Sequence, residues 1–162
     1  MAGAMRFIWR NLSGLVCVVA LITTATPLAA ADRVVAYQIV NGAEIPQSLT
    51  GQPGDPEVGR KLYFDRQATG CSGCHGSPGG PGAVASEGRR SAPELDRIWA
   101  RMTEGAVRLW LVAPQVVASG AEMPAYYAAG YYTDPEDPRY GEPRLSATEI
   151  EDLVAYLMKA GR

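Results

Sequence analysis

The chain has 162 residues and a formal net charge of −2, with 15 Lys and Arg against 17 Asp and Glu. An acidic balance without a basic run excludes the electrostatic pattern of nucleic-acid-binding proteins. The length suits one domain with a buried core, and one histidine and three cysteines restrict any metal or thiol chemistry to a few positions.

The first 31 residues have the three parts of an export signal. Arg6 and Arg10 form a positively charged start, an apolar run covers residues 12–22, and residues 29–31 are small alanines suited to cleavage. The apolar run is shorter than the roughly 20 residues that span a bilayer. We therefore expect cleavage after residue 31 and export without a retained membrane anchor, which leaves a mature chain without Cys17.

Residues 32–54 combine scattered apolar residues with turn-forming Asn, Pro and Gly, which predicts an extended N-terminal arm. Asp55-Pro56-Glu57 then predicts the start of a helix. Asp caps free backbone amides, Pro fits the first helical position, and an acid there meets the positive end of the helix dipole. The helix is expected to end near Asp65.

The next feature along the chain is Cys71-Ser72-Gly73-Cys74-His75, the attachment pattern of a c-type haem. Two thiols one helical turn apart add to the two vinyl groups of one porphyrin, and His75 then reaches the iron from one face. Cys-x-x-Cys alone also fits a zinc site or a redox dithiol. However, tetrahedral zinc needs four Cys or His ligands, and a thioredoxin-like dithiol needs a βαβ context that this sequence lacks. We predict one covalently bound haem c.

Loops and two short helices are expected after this motif. Residues 76–92 are rich in Gly, Ser and Pro and predict a loop. Helices are expected over residues 94–102 and 104–113, the second stopped by Pro114. Repeated Asp-Pro and Glu-Pro pairs within residues 134–143 disfavour helix there.

The last helix has the strongest sequence signal. Ser146-Ala147-Thr148-Glu149 is a capping box, and Gly161 is suited to close the helix. Apolar residues then repeat at helical spacing on one face: Ile150, Leu153, Val154 and Leu157. Because no strand pattern stands out, the predicted class is all-α, with short helices around the haem, long loops and an extended N-terminal arm.

The sixth iron ligand must be of another residue type, because His75 is the only histidine. Met123 is the candidate, since Pro124 holds it in a loop that is far enough along the chain to reach the other haem face. The other methionines fit the signal, the core or the surface: Met1, Met5, Met102 and Met158. His/Met ligation fills both axial positions and raises the reduction potential, which favours electron transfer over oxygen chemistry.

Two further residues are weaker candidates for the haem pocket. The carbonyl of Pro93 is placed in sequence to accept a hydrogen bond from Nδ1 of His75, although a proline at a helix start needs no such role. Leu95 is expected to pack on the porphyrin, which is compatible with an ordinary core position. Arg89 and Arg90 could pair with the haem propionates or lie in a solvated loop. Trp99 and Trp110 suit either the core or hydrogen bonds to the propionates. Four tyrosines suit the haem edge, a partner surface or plain packing: Tyr126, Tyr127, Tyr131 and Tyr132.

Residues 55–162 as a whole resemble class I cytochromes c. Gly59 and Tyr63 in the first helix, with Leu153 and Tyr156 in the last, look like the family's crossing helix pair. Pro93-x-Leu95 resembles its Pro-x-Leu segment. The resemblance implies a monohaem cytochrome domain over residues 55–162.

Three segments are similar to the SoxX family of sulfur-oxidation cytochromes: residues 45–57, 123–127 and 145–157. The resemblance implies the small subunit of SoxAX, a periplasmic L-cysteine S-thiosulfotransferase that joins thiosulfate to a cysteine of a carrier protein. It places the catalytic cysteine on the SoxA-type subunit, so no catalytic residue is expected here. This chain would pass electrons to a downstream cytochrome, with residues 32–54 contacting the partner.

Two other functions remain open. The first is a stand-alone electron-transfer cytochrome, which has no need of the N-terminal arm. The second, from a different class, is a dithiol redox or metal-binding protein that uses Cys71 and Cys74 without haem.

Overall fold

The computed structural model describes residues 34–76, 92, 93, 95 and 101–160. The export signal, most of the Gly-rich loop, most of the helix expected over residues 94–102, and Gly161 lie outside the described residues. Five helices have both ends in the described part: α1 (Pro56–Phe64), α2 (Cys71–His75), α3 (Glu104–Val112), α4 (Pro114–Val117) and α5 (Ala147–Ala160). Those residues form no strand beyond one isolated bridge, which confirms the all-α prediction.

Local hydrogen bonds cap the N-terminal ends of α1 and α5, two helices that are distant in sequence and pack against each other. The Asp55 carboxylate accepts the amides of Glu57 and Val58 at 2.8 and 3.4 Å. At the other helix, the Ser146 amide donates to the Glu149 carboxylate at 2.8 Å, and the Glu149 amide donates to the Ser146 hydroxyl at 3.2 Å. Both predicted helix starts are confirmed.

Helices α1 and α5 cross at close range. Gly59 in α1 lies against the backbone of Asp152 in α5, so a Cβ at that position would overlap the Asp152 carbonyl. Beside it, the rings of Tyr63 and Tyr156 lie 5.5 Å apart between centroids and are tilted by 55°. A glycine is therefore required at the crossing because any side chain there would separate the helices. The crossing expected from the family resemblance is present.

Helix α3 ends where the sequence predicts, and a second, short helix begins after one non-helical residue, Ala113. The Thr103 hydroxyl caps α3 by accepting the Ala106 amide at 3.1 Å. After Ala113, Pro114 occupies the first position of the short helix α4. Proline suits that position because the first helical amides have no partner within the helix.

The N-terminal arm packs on the chain's own helices. Ile45 and Leu49 are buried in the same core as α3 and α5. The buried Arg108 guanidinium donates to the Ile45 carbonyl at 2.7 Å, and the Leu49 amide donates to the buried Glu151 carboxylate at 2.8 Å. The core therefore includes residues on the N-terminal side of residue 55, where the haem domain was expected to begin.

No helix in the described part of the chain combines the length and apolar character needed to cross a bilayer.

Candidate functional site

The short helix α2 presents the Cys-x-x-Cys-His motif between two glycines with positive φ. Gly70 has φ 68° and Gly76 has φ 72°, a conformation that is costly for other residues. The Cys71 side chain is buried, whereas Cys74 and His75 are half-buried. The tight turns at both ends hold the two thiols one helical turn apart, with the imidazole directly after them.

Two buried tyrosines fix the backbone on either side of α2. The Tyr63 hydroxyl donates to the Gly76 carbonyl at 2.9 Å, and the Tyr126 hydroxyl donates to the Thr69 carbonyl at 2.7 Å. Burial raises the pKa of both phenols, so each remains a neutral donor. From its sequence Tyr126 fits the haem edge, a partner surface or plain packing. None of these includes an anchoring role, because nothing local in sequence signals a bond across 57 residues.

The His75 ring is oriented by a neighbouring carbonyl. Its Nδ1 lies 3.0 Å from the Pro93 carbonyl oxygen, which only accepts, so Nδ1 carries the proton and donates it. Burial lowers the pKa of His75, with the hydrogen bond to Pro93 acting in the opposite direction. The neutral ring then has a free lone pair on Nε2, the form in which histidine binds a metal.

A cavity of about 640 Å³ brings the candidate haem residues together. Its volume is typical of cofactor and ligand sites. The cavity is lined by both motif thiols, the imidazole and the thioether: Cys71, Cys74, His75 and Met123. A second, mainly apolar cavity of about 130 Å³ shares part of this lining. The two adjoin at Cys71, His75, Pro93, Trp110 and Met123.

The smaller cavity contains the other apolar candidates. Leu95 lines it and is buried, and Met102 also faces it. Trp110 lines both cavities and is half-buried. Three further sequence candidates lie outside the described residues: Arg89, Arg90 and Trp99.

Met123 lies in a loop whose backbone is anchored at both sides. The Gln115 side-chain amide donates to the Met123 carbonyl at 3.0 Å, and the Tyr126 amide donates to the Leu111 carbonyl at 3.0 Å. Met123 therefore lines the cavity from a loop tied to α3 and α4, and His75 lines the same cavity from α2.

These residues fit a covalently bound haem and fit the alternatives poorly. Two thiols, an imidazole and a thioether on one largely apolar cavity are the donor set of a His/Met c-type haem. The described residues contain no group of three or more His, Cys, Asp or Glu able to hold a metal ion. Burial raises the pKa of the Cys71 thiol, whereas reactive redox thiols have a lowered pKa.

Comparison with family models matches residues 57–161 to the family described as Cytochrome c. The chain belongs to the cytochrome c family. Its cofactor is a covalently bound c-type haem, as predicted from the Cys-x-x-Cys-His motif. A search of curated proteins found no match.

A solved structure described as the crystal structure of SoxXA from P. pantotrophus is similar to this cytochrome. The two share 31% identity, the match covers 79% of this chain and 95% of that chain, and the TM-score is 0.60. The similarity confirms the predicted resemblance to SoxX-type class I cytochromes c. This cytochrome is a SoxX-like electron-transfer protein.

Proposed function

We propose that this SoxX-like cytochrome is the periplasmic, electron-accepting small subunit of a SoxAX-type complex. Its haem is attached through Cys71 and Cys74, with His75 and Met123 as axial ligands. The observation that carries the proposal is the common cavity, because all four side chains line it. The similarity to SoxXA supplies the sulfur-oxidation context.

The chain's own residues have distinct tasks at this site. The Pro93 carbonyl accepts a hydrogen bond from Nδ1–H of His75, which would leave Nε2 free to bind the haem iron. Met123 supplies the thioether, and Leu95 covers the apolar side of the pocket and excludes water. A haem with both axial positions filled exchanges single electrons at a raised reduction potential.

The sulfur chemistry belongs to the partner subunit. Both cysteines among the described residues lie in the haem motif, and Cys17 leaves with the signal. Once both motif thiols are attached to haem, the mature chain has no thiol to bond thiosulfate. The L-cysteine S-thiosulfotransferase activity would therefore use a cysteine of the SoxA-type subunit, and this chain would contribute no catalytic residue.

The electron balance gives this chain its task. Joining a thiosulfate sulfur to a carrier-protein thiol forms one S–S bond, and it releases the thiol proton and two electrons. A single haem accepts one electron at a time. The small subunit therefore relays the electrons in single steps to a downstream cytochrome, which restores it for the next transfer.

The outward side of the arm is the proposed contact with the SoxA-type subunit. Ile45 and Leu49 point into the chain's own core, but Val35 and Val40 remain 45% and 39% exposed. Exposed valines next to an anchored segment offer an apolar surface that a partner would cover. The backbone under them is fixed, since the Val35 amide donates to the Tyr127 hydroxyl at 2.8 Å.

Co-elution with the SoxA-type cytochrome of the same organism tests the proposal. The haem-loaded mature chain and its Val35→Asp and Val40→Asp variants are each mixed with that subunit and examined by size-exclusion chromatography. Val116→Asp is the control, because Val116 is 51% exposed and lies in α4, away from the arm in sequence. We expect the unmodified chain and the control to form a heterodimer, with association at least tenfold weaker for the arm variants.

The outcomes separate the parts of the proposal. An unmodified chain that elutes alone beside the SoxA-type subunit contradicts membership of the complex. If the unmodified chain and the arm variants both associate normally, the interface lies elsewhere on the molecule.

A stand-alone electron carrier is the second candidate, and one observation favours it. The arm buries Ile45 and Leu49 in the chain's own core, so the arm has a structural reason to exist without a partner. The elution experiment distinguishes the two cytochrome functions. A pyridine haemochrome spectrum of exported protein tests both against the dithiol alternative, because covalent haem gives a characteristic band and open thiols do not.

Periplasmic location is tested separately. We expect cell fractionation to find the haem-containing protein in the periplasm, with Asp32 as the first residue on N-terminal sequencing. An uncleaved chain in the membrane fraction would show that the apolar run near the N-terminus is a retained anchor.

A further inference from the structure

The turn before the haem motif, residues 65–70, is held by a cation from a distant part of the chain. Arg144 donates from Nε to the Ala68 carbonyl at 2.8 Å and from Nη2 to the Gln67 carbonyl at 3.1 Å. The Asp65 carboxylate accepts the amides of Gln67 and Ala68 at 2.8 and 2.9 Å. Gln67 and Ala68 are thus each hydrogen-bonded through both the backbone amide and the backbone carbonyl, which fixes the turn that leads into α2.

The same guanidinium lies between two tyrosine rings. Its central carbon is 5.4 Å from the ring centroid of Tyr126 and 5.3 Å from that of Tyr131, distances at which a cation is attracted to an aromatic face. The Tyr126 hydroxyl in turn lies 3.8 Å from Sγ of Cys71. One aromatic residue therefore separates the positive charge of Arg144 from a proposed attachment point of the haem.

Among the residues that the structure describes, no carboxylate pairs with the charge of Arg144. In the part of the chain that the structure describes, Arg108 forms an ion pair with Glu151 at 2.7 Å. Arg139 likewise pairs with Asp137 at 3.0 Å. No described carboxylate lies within ion-pair distance of Arg144, which is half-buried. An unpaired, partly desolvated charge acts over a longer distance than a neutralised one.

We infer that Arg144 is a positioning residue that holds the turn before the haem motif and raises the reduction potential of the site with its fixed charge. Reduction adds one electron and makes the site less positive, so a nearby cation stabilises the reduced form relative to the oxidised form. Hydrogen bonds from the guanidinium to two carbonyls hold the turn, and they also keep the positive charge at one position near the site. The inference rests on the proposed attachment of haem at Cys71.

Redox titration of haem-loaded variants against mediator dyes tests the inference. Arg144→Gln removes the charge, and we expect about a tenfold shift of the equilibrium towards the oxidised form, equivalent to 59 mV for one electron. Arg144→Lys keeps the charge but loses the fork, and its equilibrium should stay within about threefold of the unmodified protein. Arg139→Gln is the control, because Arg139 also stacks on a tyrosine, Tyr132, but is paired with Asp137.

Haem content and the visible spectrum are recorded for each variant, so a lost cofactor is not mistaken for a changed potential. An Arg144→Gln protein with attached haem and an unchanged potential overturns the inference. So does an equal shift in Arg139→Gln, which would show a general effect of surface charge. If Arg144→Gln does not fold, an Arg144→Lys protein that also fails assigns Arg144 to folding alone and overturns the redox role. Absence of covalent haem from the unmodified chain would instead contradict the proposed function.

Discussion

At the scale of single residues, the site combines side chains that the sequence identifies with others that it does not. Cys71, Cys74 and His75 are recognisable because their chemistry requires fixed spacing, and Met123 is recognisable by elimination. Tyr126 and Arg144 bond to backbone carbonyls 57 and 76 residues away. Such bonds leave no local periodicity, so only the folded chain shows them.

Met123→Ala should abolish the weak far-red absorption band of oxidised iron–thioether cytochromes and lower the reduction potential. The haem itself should stay attached, because its proposed covalent bonds are to Cys71 and Cys74 and not to Met123. Optical spectra and redox titration measure both effects. Met102→Ala is the control, since Met102 lines only the smaller cavity. Persistence of the band in Met123→Ala would assign the axial ligand to another residue.

Tyr126→Phe should destabilise the haem-loaded protein by about 1–3 kcal/mol, because it removes the donor to the buried Thr69 carbonyl. The ring and its packing are retained, so the loss is confined to the hydroxyl. Urea unfolding followed by far-UV circular dichroism gives the free energy of unfolding. Tyr140→Phe, at an exposed position, should change it by less than about 0.5 kcal/mol. Equal effects of the two substitutions would contradict an anchoring role for Tyr126.

At the scale of elements, helix ends follow from local chemistry but packing partners do not. The Asp55 cap and the Ser146–Glu149 capping box use residues within one turn, so the sequence predicts both. The pairing of Arg108 in α3 with Glu151 in α5 joins residues 43 positions apart. Both are charged, and Arg and Glu are almost never fully buried unless each has a partner. Their burial therefore could not be predicted.

Glu151→Leu should cost about 3–5 kcal/mol in unfolding free energy, because it leaves the buried Arg108 charge without its bidentate partner. The double variant Arg108→Met/Glu151→Leu should recover part of that loss. Recovery stays incomplete because the Ile45 carbonyl and Leu49 amide also lose partners. Thermal and urea unfolding measure the series.

The exposed pair between Lys159 and Glu57, at 2.9 Å, is the control for this series. Lys159→Met should change the unfolding free energy by less than about 1 kcal/mol, since solvent screens an exposed ion pair. A Glu151→Leu cost as small as that of the control would show that the buried pair does not hold α3, α5 and the arm together.

The Asp65 carboxylate in the turn before the haem motif should make the free energy of unfolding depend on pH in the acidic range. Hydrogen bonds from the amides of Ala68 and Gln67 lower the pKa of Asp65 below the ordinary value of an aspartate. A carboxylate with a depressed folded-state pKa stabilises the protein above its unfolded pKa, and the contribution is lost as the pH falls through the folded pKa. Asp65→Asn keeps the acceptor oxygen without the charge, so its urea midpoint should fall less over that acidic range. An identical pH dependence in both proteins would contradict this contribution.

At the scale of the whole molecule, the fold is an α-helical cytochrome whose core includes its own N-terminal arm. The family assignment covers residues 57–161, and the apolar periodicity that predicts the class begins at α1. The arm has no such periodicity. Yet Gly54 lies against the Glu151 backbone in α5, and the Asp55 amide donates to the Asp152 carboxylate at 2.6 Å. Contacts of an irregular segment depend on single backbone groups, which sequence patterns do not encode.

Removal of the arm should therefore damage the domain itself, with or without a partner subunit. A mature chain that begins at residue 55 loses the buried side chains of Ile45 and Leu49, each worth about 1.5–3 kcal/mol. It also leaves Arg108 and Glu151 without their backbone partners. Since a small domain has only about 5–15 kcal/mol of stability, we expect low yield of haem-loaded protein and a strongly reduced melting temperature.

A chain that begins at Tyr37 is the matched control, because it keeps both buried residues. Among the described contacts it loses the partly buried hydrogen bond from the Val35 amide to the Tyr127 hydroxyl. It should load haem and melt close to the full mature chain. If the chain that begins at residue 55 is equally stable, the arm does not belong to the core. If both shortened chains are stable but neither associates with a SoxA-type subunit, the arm serves the interface alone.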